Sequence, residues 1–400
     1  MKFTKAYIPY GGYFSSPFVR WNGSLKGDNS VILGASTARR WFVEKQIDPN
    51  GLDFLYYGIT TAQPLSFYGH AYSAAVILDR QGKDIPALQI NQVCATSCTT
   101  LGLAAKDIET DSHGEVFALS VDRTSSTPLL VCPDPLTGAV STENIVLDNF
   151  ERDPSPGAGL AMFQTAEAVA KEAGITREEC DEIAVLRYEQ YLDALANDRA
   201  FQKRYMFPLE AHLNKKKIQI IAEDEGVTPS TKEGLAKLKP VTPNGVLTFG
   251  SQTHPADGNC GTIVTTKERA QEISKDPNIT VQILSYAITR VGAGRMAAAP
   301  VPALEVALND AGLKAADLSQ IKTHNPFVVN DVNLSKKLGV NQKIVNNYGS
   351  SMIYGHPQGP TAGRAVIELI EALAVQGGGY GAFTGCAAGD IGASLVVKVN

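Results

Sequence analysis

The sequence predicts an α/β fold built from a duplicated half-domain, on three observations. Apolar, strand-like runs alternate with amphipathic helical ones over most of the length, the pattern of buried sheets covered by helices. The two ends share one grammar. Residues 46–55 (QIDPNGLDFL) and 312–321 (GLKAADLSQI) each set a polar turn with an Asp between a helix and a strand, as an internal duplication does. At 400 residues the chain also exceeds what one hydrophobic core normally serves, so two or three packed units are expected.

In chain order, 36–45 reads as a helix and 53–58 as a buried strand. Residues 85–93 form a second strand, and the small-residue run 95–106 after it a helix. In the C-terminal part 302–311 is helical, 319–323 and 340–346 are strands, and 360–374 is helical. Strands at 380–384 and 393–399 close the chain as a hairpin. Between the halves, 132–156 is rich in Pro, Asp, Ser and Thr and interrupts the alternation. Helices are expected at 159–173, 177–196 and 231–238, with a charged strand pair near 205–210 and 218–222. The expected division is 1–121 with 246–275 as the N-terminal half, 122–245 as an inserted subdomain, and 276–400 as the C-terminal half.

Hydrophobic residues make up 44% and charged residues 19% of the chain, the balance of a well-cored enzyme rather than a disordered or fibrous chain. A formal net charge of −5 supplies no global field for nucleic acid. The one basic run, Lys215-Lys216-Lys217, reads as a solvated turn between strands, with a weaker reading as a hold for a phosphorylated substrate. The first ten residues lack the apolar core of a signal peptide, and no run of eighteen apolar residues crosses a bilayer. The cysteines at 94, 98, 132, 180, 260 and 386 are scattered. They read as reduced thiols of a cytoplasmic enzyme rather than disulfides. Cys94 and Cys98 have no second Cys/His pair, so no metal site is expected.

Four segments carry residue types suited to chemistry. Cys94, in Asn91-Gln92-Val93-Cys94-Ala95-Thr96-Ser97-Cys98, sits where a strand hands over to a helix. There a thiol meets unpaired N–H groups and the positive end of the macrodipole, which favour a thiolate, and those N–H groups can hold a thioester oxyanion. A lone cysteine is more often core, so position alone leaves both readings level; Cys98 reads as core. His356 lies in Gly355-His356-Pro357-Gln358-Gly359-Pro360, a loop opening the next helix. It is a candidate base for Cys94, against a loop-stabilising role. His324-Asn325-Pro326-Phe327 directly follows a strand, where polar side chains often point into a site. His324 or Asn325 could donate to a thioester oxygen, or Asn325-Pro326 is only a turn. Cys386 falls in a small-residue turn between the last two strands, as an acid/base on carbon or as filler.

At these motifs, in this order, the sequence resembles the thiolase family. Its N-x-x-C, N-E-A-F-like, G-H-P-x-G-x-x-G-x-R and C-x-G-G-G-x-G segments match Asn91–Cys94, His324–Phe327, Gly355–Arg364 and Cys386–Gly392. Residues 7–25, 162–182, 235–240 and 250–258 are also similar to the family, so the likeness spans nearly the whole chain. It implies a five-layered α-β-α-β-α body with an inserted loop subdomain, and coenzyme A as a substrate. It further implies that Cys94 is acylated, His356 activates it, Cys386 moves the proton at the α-carbon, and His324 with His356 stabilises the enolate. Backbone N–H groups of Cys94 and of Gly389 to Gly392 would bind the other oxyanion. Thr253 and Met162 would touch coenzyme A, whose nucleotide end would lie against the insert. The expected assembly is a homodimer or a dimer of dimers.

Departures from the family pattern are His324 for Asn, Asn325-Pro326 for Glu-Ala, and Ala387-Ala388 with Asp390 in the glycine run. The His-Asn-Pro-Phe segment is similar to that of benzoylsuccinyl-CoA thiolase. That likeness implies a bulky or aromatic acyl group and a small zinc-ribbon/OB-fold partner subunit. Two alternatives stand beside it. One is a condensing synthase of the same superfamily, against which Cys386 speaks; the other is a non-catalytic thiolase-like scaffold subunit, which would have lost one of Cys94, His356 or Cys386.

Overall fold

The computed structural model describes residues 1–78, 84–125, 128–144, 158–214 and 216–400. Two mirrored groups of strands form its centre. In the N-terminal half, Phe54–Gly58 runs parallel to both Ala87–Ile90 and Glu115–Arg123, which pairs antiparallel with Ala256–Thr265. In the C-terminal half, Leu318–His324 runs parallel to Gly379–Ala387, followed by antiparallel Ile391–Val399 and Val281–Arg290. The short strand Tyr7–Ile8 pairs with Ala256–Thr265 on one side and Val281–Arg290 on the other, joining both groups into one 11-stranded sheet.

Helices complete the expected five layers. Ser30–Lys45 covers the outer face of the N-terminal strands through Trp41 and Phe42 against Phe117 and Leu55. Pro300–Ala311 covers the C-terminal strands through Leu304 and Leu308. Thr96–Glu109 and Thr361–Val375 pack on each other and on strands of both halves. The latter is buried from Thr361 through Leu373, as a helix in a central layer must be. Ser30–Lys45 starts earlier than its polar residues suggested. Asn29 caps it by accepting from Val31 N and Ile32 N, and Gly34 lies so close to Val121 that a Cβ would sit 2.2 Å from Cγ1.

The strand expected at 340–346 does not form. Gln342–Ile344 is a 3-10 turn, and only Val345 bridges Ile321 in parallel. By position it is the reduced counterpart of Ala87–Ile90. Left-handed φ angles bound the segment, at Gly339 before it, at Asn346 on its last residue and at Tyr348 and Gly349 after it. Asn346 meanwhile pairs its side chain with Thr323.

The inserted region holds helices Met162–Ala173, Arg177–Arg199 and Lys232–Ala236. The second begins at a Thr176–Glu179 capping box and is regular up to Ala196, where the dihedrals leave the helical region. The charged strand pair lies at Leu209–Asn214 and Lys217–Ile221, four residues later than expected at its start because Gln202–Arg204 turns as a 3-10 helix. Lys216 and Lys217 fall at that hairpin's turn, and Lys215 lies outside the described residues. Of the segment 132–156, Leu129–Pro133 and Val140–Asn144 pair as an exposed hairpin, and 145–156 lies outside the described residues. Buried charge ties the insert to the body. Arg364 grips Asp224 with both Nη atoms (2.6 and 2.8 Å) over the ring of Tyr354, and Arg187 Nε donates to Asp331 at 2.8 Å. No helix among the described residues is long and apolar enough to cross a membrane.

Candidate active site

The two central helices begin side by side, and the candidate residues gather at their shared starting end. Cys94 lies in the 3-10 turn Val93–Ala95 that leads from Ala87–Ile90 into Thr96–Glu109. Val93 holds a left-handed φ of 48°, costly for a β-branched residue. Asn91 Oδ1 accepting from Val93 N and Thr96 Oγ1 accepting from Gln92 N secure that bend. The start of Thr361–Val375 docks on it: Ser97 N donates to Gly359 O, and Gly363 N to Ser97 Oγ. Gly359 is required, because its N–H donates to buried Asp122 and a Cβ would meet Asp122 Oδ2 at 2.7 Å. Among the described residues no cation faces Asp122; burial pushes its carboxyl up to about 6 although four donors face it.

This frame sets His356 Nε2 3.1 Å from Cys94 Sγ, with His356 Nδ1 2.6 Å from Thr361 Oγ1. With Nδ1–H donating to that hydroxyl, Nε2 carries a lone pair aimed at the thiol, the tautomer a base requires. Burial lowers the His356 pKa to about 3, so the resting ring is neutral. His324 ends its strand beside Gly385 and stacks on His356, ring centroids 4.1 Å apart. Burial, then the neighbouring His356, holds its pKa well below the ordinary value. Its Nδ1 meets Ser351 Oγ at 2.9 Å, while Nε2 is buried with no hydrogen-bond partner among the described residues. Such an atom costs free energy until a ligand oxygen meets it. Donor atoms of Cys94, His324 and His356 lie within 4.8 Å of one another. The two rings are tilted by 30°, and the three groups are close enough for proton transfer and hydrogen bonding among them.

Cys386 is not in a turn. It lies within Gly379–Ala387, paired with Gly392 across the hairpin, because the strand runs on through the small residues that suggested a turn. Its strand packs against the Cys94 turn, and Asn330 Nδ2 donates to its sulfur at 3.3 Å. Burial pushes the thiol up to about 12, opposed by that hydrogen bond.

Beside Cys94 and His356 is a cavity of about 280 Å³ walled by Met162, Phe163, Phe249, Met296, Pro326 and Phe327. Thr253 lines it too, its hydroxyl donating to Ser351 O. Neither Gly389 nor Gly392 lines it; Gly392 packs on Ala299, whose carbonyl a Cβ would strike. An outer cleft of about 600 Å³ shares Phe249, Gln252, His254 and Pro255 with this cavity and runs past Arg20, Trp21 and Ser230. Sequence reasoning assigned no role to Gln358, Ser351, Asn330, Thr361 or His254. Only Gln358 had a visible signal, a polar side chain inside the His356 loop.

The thiolase N-terminal domain family matches residues 14–268 and the thiolase C-terminal domain family residues 278–399. The chain belongs to the thiolase family. Thiolases are acyltransferases that use coenzyme A as a substrate, and this chain is one of them. It is similar to the acetyl-CoA acetyltransferase of Escherichia coli (strain K12), 28% identical over 382 residues, 94% of this chain and 95% of the relative. The 3-ketoacyl-CoA thiolase of Bacillus subtilis (strain 168) is 27% identical over 325 residues, 79% of each chain. The fold is that of human mitochondrial 3-ketoacyl-CoA thiolase, with a TM-score of 0.87, 24% identity and 98% of both chains covered. It is equally that of the Bacillus anthracis acetyl-CoA acetyltransferase, with a TM-score of 0.88, 23% identity and 100% of both chains covered.

Proposed function

We propose that this thiolase cleaves a 3-oxoacyl-CoA with coenzyme A, or runs the reverse condensation, through an acyl-Cys94 thioester. The observation that carries the reading is the 3.1 Å contact between Cys94 Sγ and a neutral, buried His356 Nε2. His356 takes the thiol proton, and the thiolate attacks the 3-oxo carbon. The bond between the α-carbon and that carbon breaks, its electron pair passing to the thioester as an enolate. His324 Nε2–H is the donor available for the enolate oxygen. The Cys386 thiol, neutral at pH 7, protonates the α-carbon. Coenzyme A, its thiol proton passing to the Cys386 thiolate, then attacks the acyl-Cys94 carbonyl and releases the shortened acyl-CoA, with Cys94 leaving as a thiolate that takes back the proton held by His356. A condensing synthase needs no second thiol, and Cys386 disfavours it; a scaffold needs no aligned Cys94–His356 pair.

For the acyl group we propose a bulky apolar chain, aromatic included. Three phenylalanines and two methionines wall the cavity, and no Lys or Arg lines it among the described residues. Benzoylsuccinyl-CoA fits the bulk, but its free carboxylate would lack a cation there. The outer cleft is the proposed path of the pantetheine arm and nucleotide, past Thr253 and along the insert at Thr228 to Leu238. Domain limits near 121, 245 and 275 belong to the same reading. For the assembly we propose a homodimer or dimer of dimers. It would cover the exposed Leu129, Val131, Leu136 and Val140 of the hairpin and Leu88 on the edge strand. A small zinc-ribbon/OB-fold subunit would compete for the same surfaces. The proposed compartment is the cytoplasm, where cysteines persist as thiols. The test is steady-state cleavage of acetoacetyl-CoA, a 3-oxo-3-phenylpropionyl-CoA and a carboxylate-bearing 3-oxoacyl-CoA. The phenyl substrate should show the highest kcat/KM. Preference for acetoacetyl-CoA defeats the bulky-group reading, and preference for the carboxylate defeats the apolar one.

A further inference from the structure

Gln358 sits between Pro357 and Gly359, is 2% exposed, and turns toward the nucleophile with a left-handed φ of 64°. Its Oε1 lies 3.2 Å from Cys94 Sγ, almost the distance from Sγ to His356 Nε2 (3.1 Å), and its side chain lines the acyl cavity. The single S–H proton of Cys94 therefore has two acceptors converging on it. One is a base; the other is an amide that cannot be one.

We propose that Gln358 is a catalytic residue whose Oε1 accepts from His356 Nε2–H once that ring has taken the Cys94 proton, stabilising the thiolate–imidazolium pair. In the step, the S–H bond breaks, its electron pair stays on sulfur, the proton forms the Nε2–H bond, and Oε1 receives that new donor. A buried imidazolium needs such a partner because burial disfavours its charge; the Gln358 side chain favours the charged form, beside the Thr361 hydroxyl on the other ring nitrogen. The other titratable groups facing the pair are His324 stacked on His356, Cys386 on the strand behind the Cys94 turn, and Asp122 beneath Gly359. None of them can take over. His324 resists protonation, Cys386 is a thiol engaged by Asn330, and the Asp122 carboxylate is engaged by the loop's backbone and by Thr60.

This proposal rests on the nucleophile assignment above, so its test reads the free enzyme without acyl-CoA. Alkylation of Cys94 by iodoacetamide is followed from pH 5 to 9, with the labelled peptide identified by mass. Gln358→Leu should slow labelling at pH 7 by on the order of tenfold or more and move the midpoint of the pH–rate profile upward, a hydrogen bond to a charge having been lost. Gln358→Met, which fills similar volume, should do the same, so misfolding of one variant leaves the other to decide. Gln358→Glu keeps an acceptor and should restore labelling at neutral pH. A wild-type profile in Gln358→Leu or Gln358→Met overturns the proposal, as does Gln358→Glu behaving like Gln358→Leu. Labelling of the wild-type chain at another cysteine overturns it together with the nucleophile. An intact Gln358 effect with no acylation by any 3-oxoacyl-CoA would instead overturn the thiolase chemistry alone.

Discussion

Replacing Asp331 by Asn keeps the volume of one buried side chain and removes its charge, and the consequences reach His324. The carboxylate accepts from Arg187 Nε (2.8 Å), Thr323 Oγ1 (2.6 Å), Asn325 Nδ2 (2.8 Å) and Asn346 Nδ2 (3.2 Å). In Asp331→Asn one of these acceptor positions becomes an NH2 facing donors. Arg187, fully buried, keeps only neutral partners in Gln190 and Gln342. Leaving a buried charge unpaired costs ~3–5 kcal/mol. With ~2.1 cal/mol/K of unfolding entropy per residue, the 400 residues carry ~0.8 kcal/mol/K, so the melting temperature should fall by ~5 °C. The functional effect runs through Asn325. Its Nδ2 is anchored on Asp331, which turns its Oδ1 to Met352 N, next to Ser351, whose hydroxyl donates to His324 Nδ1 and so leaves the ring N–H on Nε2. With the anchor loosened, kcat should drop by about tenfold, the value of one misdirected hydrogen bond in the transition state, with KM little changed. Scanning calorimetry and steady-state kinetics on the same preparations read both numbers. Arg187→Met added to Asp331→Asn should recover part of the stability, since no orphan charge remains, but not kcat. A single variant melting within about 1 °C of wild type, or a double variant no more stable than the single one, would refute this reasoning.

Cys386→Ala should abolish exchange of the α-proton of an acyl-CoA with solvent deuterium while acylation of Cys94 persists; loss of both together contradicts separate roles. The two buried histidines make stability pH-dependent. Their folded pKa values lie below the ordinary value of 6.5, to about 3 for His356, so the unfolded chain binds more protons. Stability is complete above pH ~6.5 and is lost on acidification by ~1.4 kcal/mol per pH unit per group. Asp122 and Asp257, pushed up to about 6, run the other way, so the comparison with His324→Asn isolates the histidine. That variant should lose ~2 kcal/mol less than wild type between pH 6.5 and 4.5, and an equal loss contradicts a neutral buried His324. Phe163→Ala should favour longer acyl groups, raising kcat/KM for them by about tenfold, the value of one or two buried methylenes; an unchanged chain-length profile removes Phe163 from the acyl wall.

Much of the body was legible because local patterns and tertiary layers agree. The handover from strand to helix at Cys94 and the Gly/Pro loop around His356 are short-range signals, and the fold sets them 3.1 Å apart across 262 positions. The strand expected at 340–346 failed because the 3-10 turn Gln342–Ile344 interrupts it and Asn346 ends it with a left-handed φ, and one bridge is all that survives. Cys386 was misplaced because small residues read alike in a turn and in a buried strand crowded by a helix. Ser351, Asn330 and Thr361 carry no signal of their own. Each matters only through a partner at least five residues and as many as 56 away, a pairing that exists only once the C-terminal half has packed.

The central claim is that Cys94 carries the acyl group, and intact-protein mass spectrometry after brief incubation with a 3-oxoacyl-CoA tests it most directly. The expected result is a mass increase equal to one acyl group, located by peptide mapping to Cys94 and missing in Cys94→Ser. An acyl adduct that persists in Cys94→Ser, or maps to another cysteine, would contradict the account.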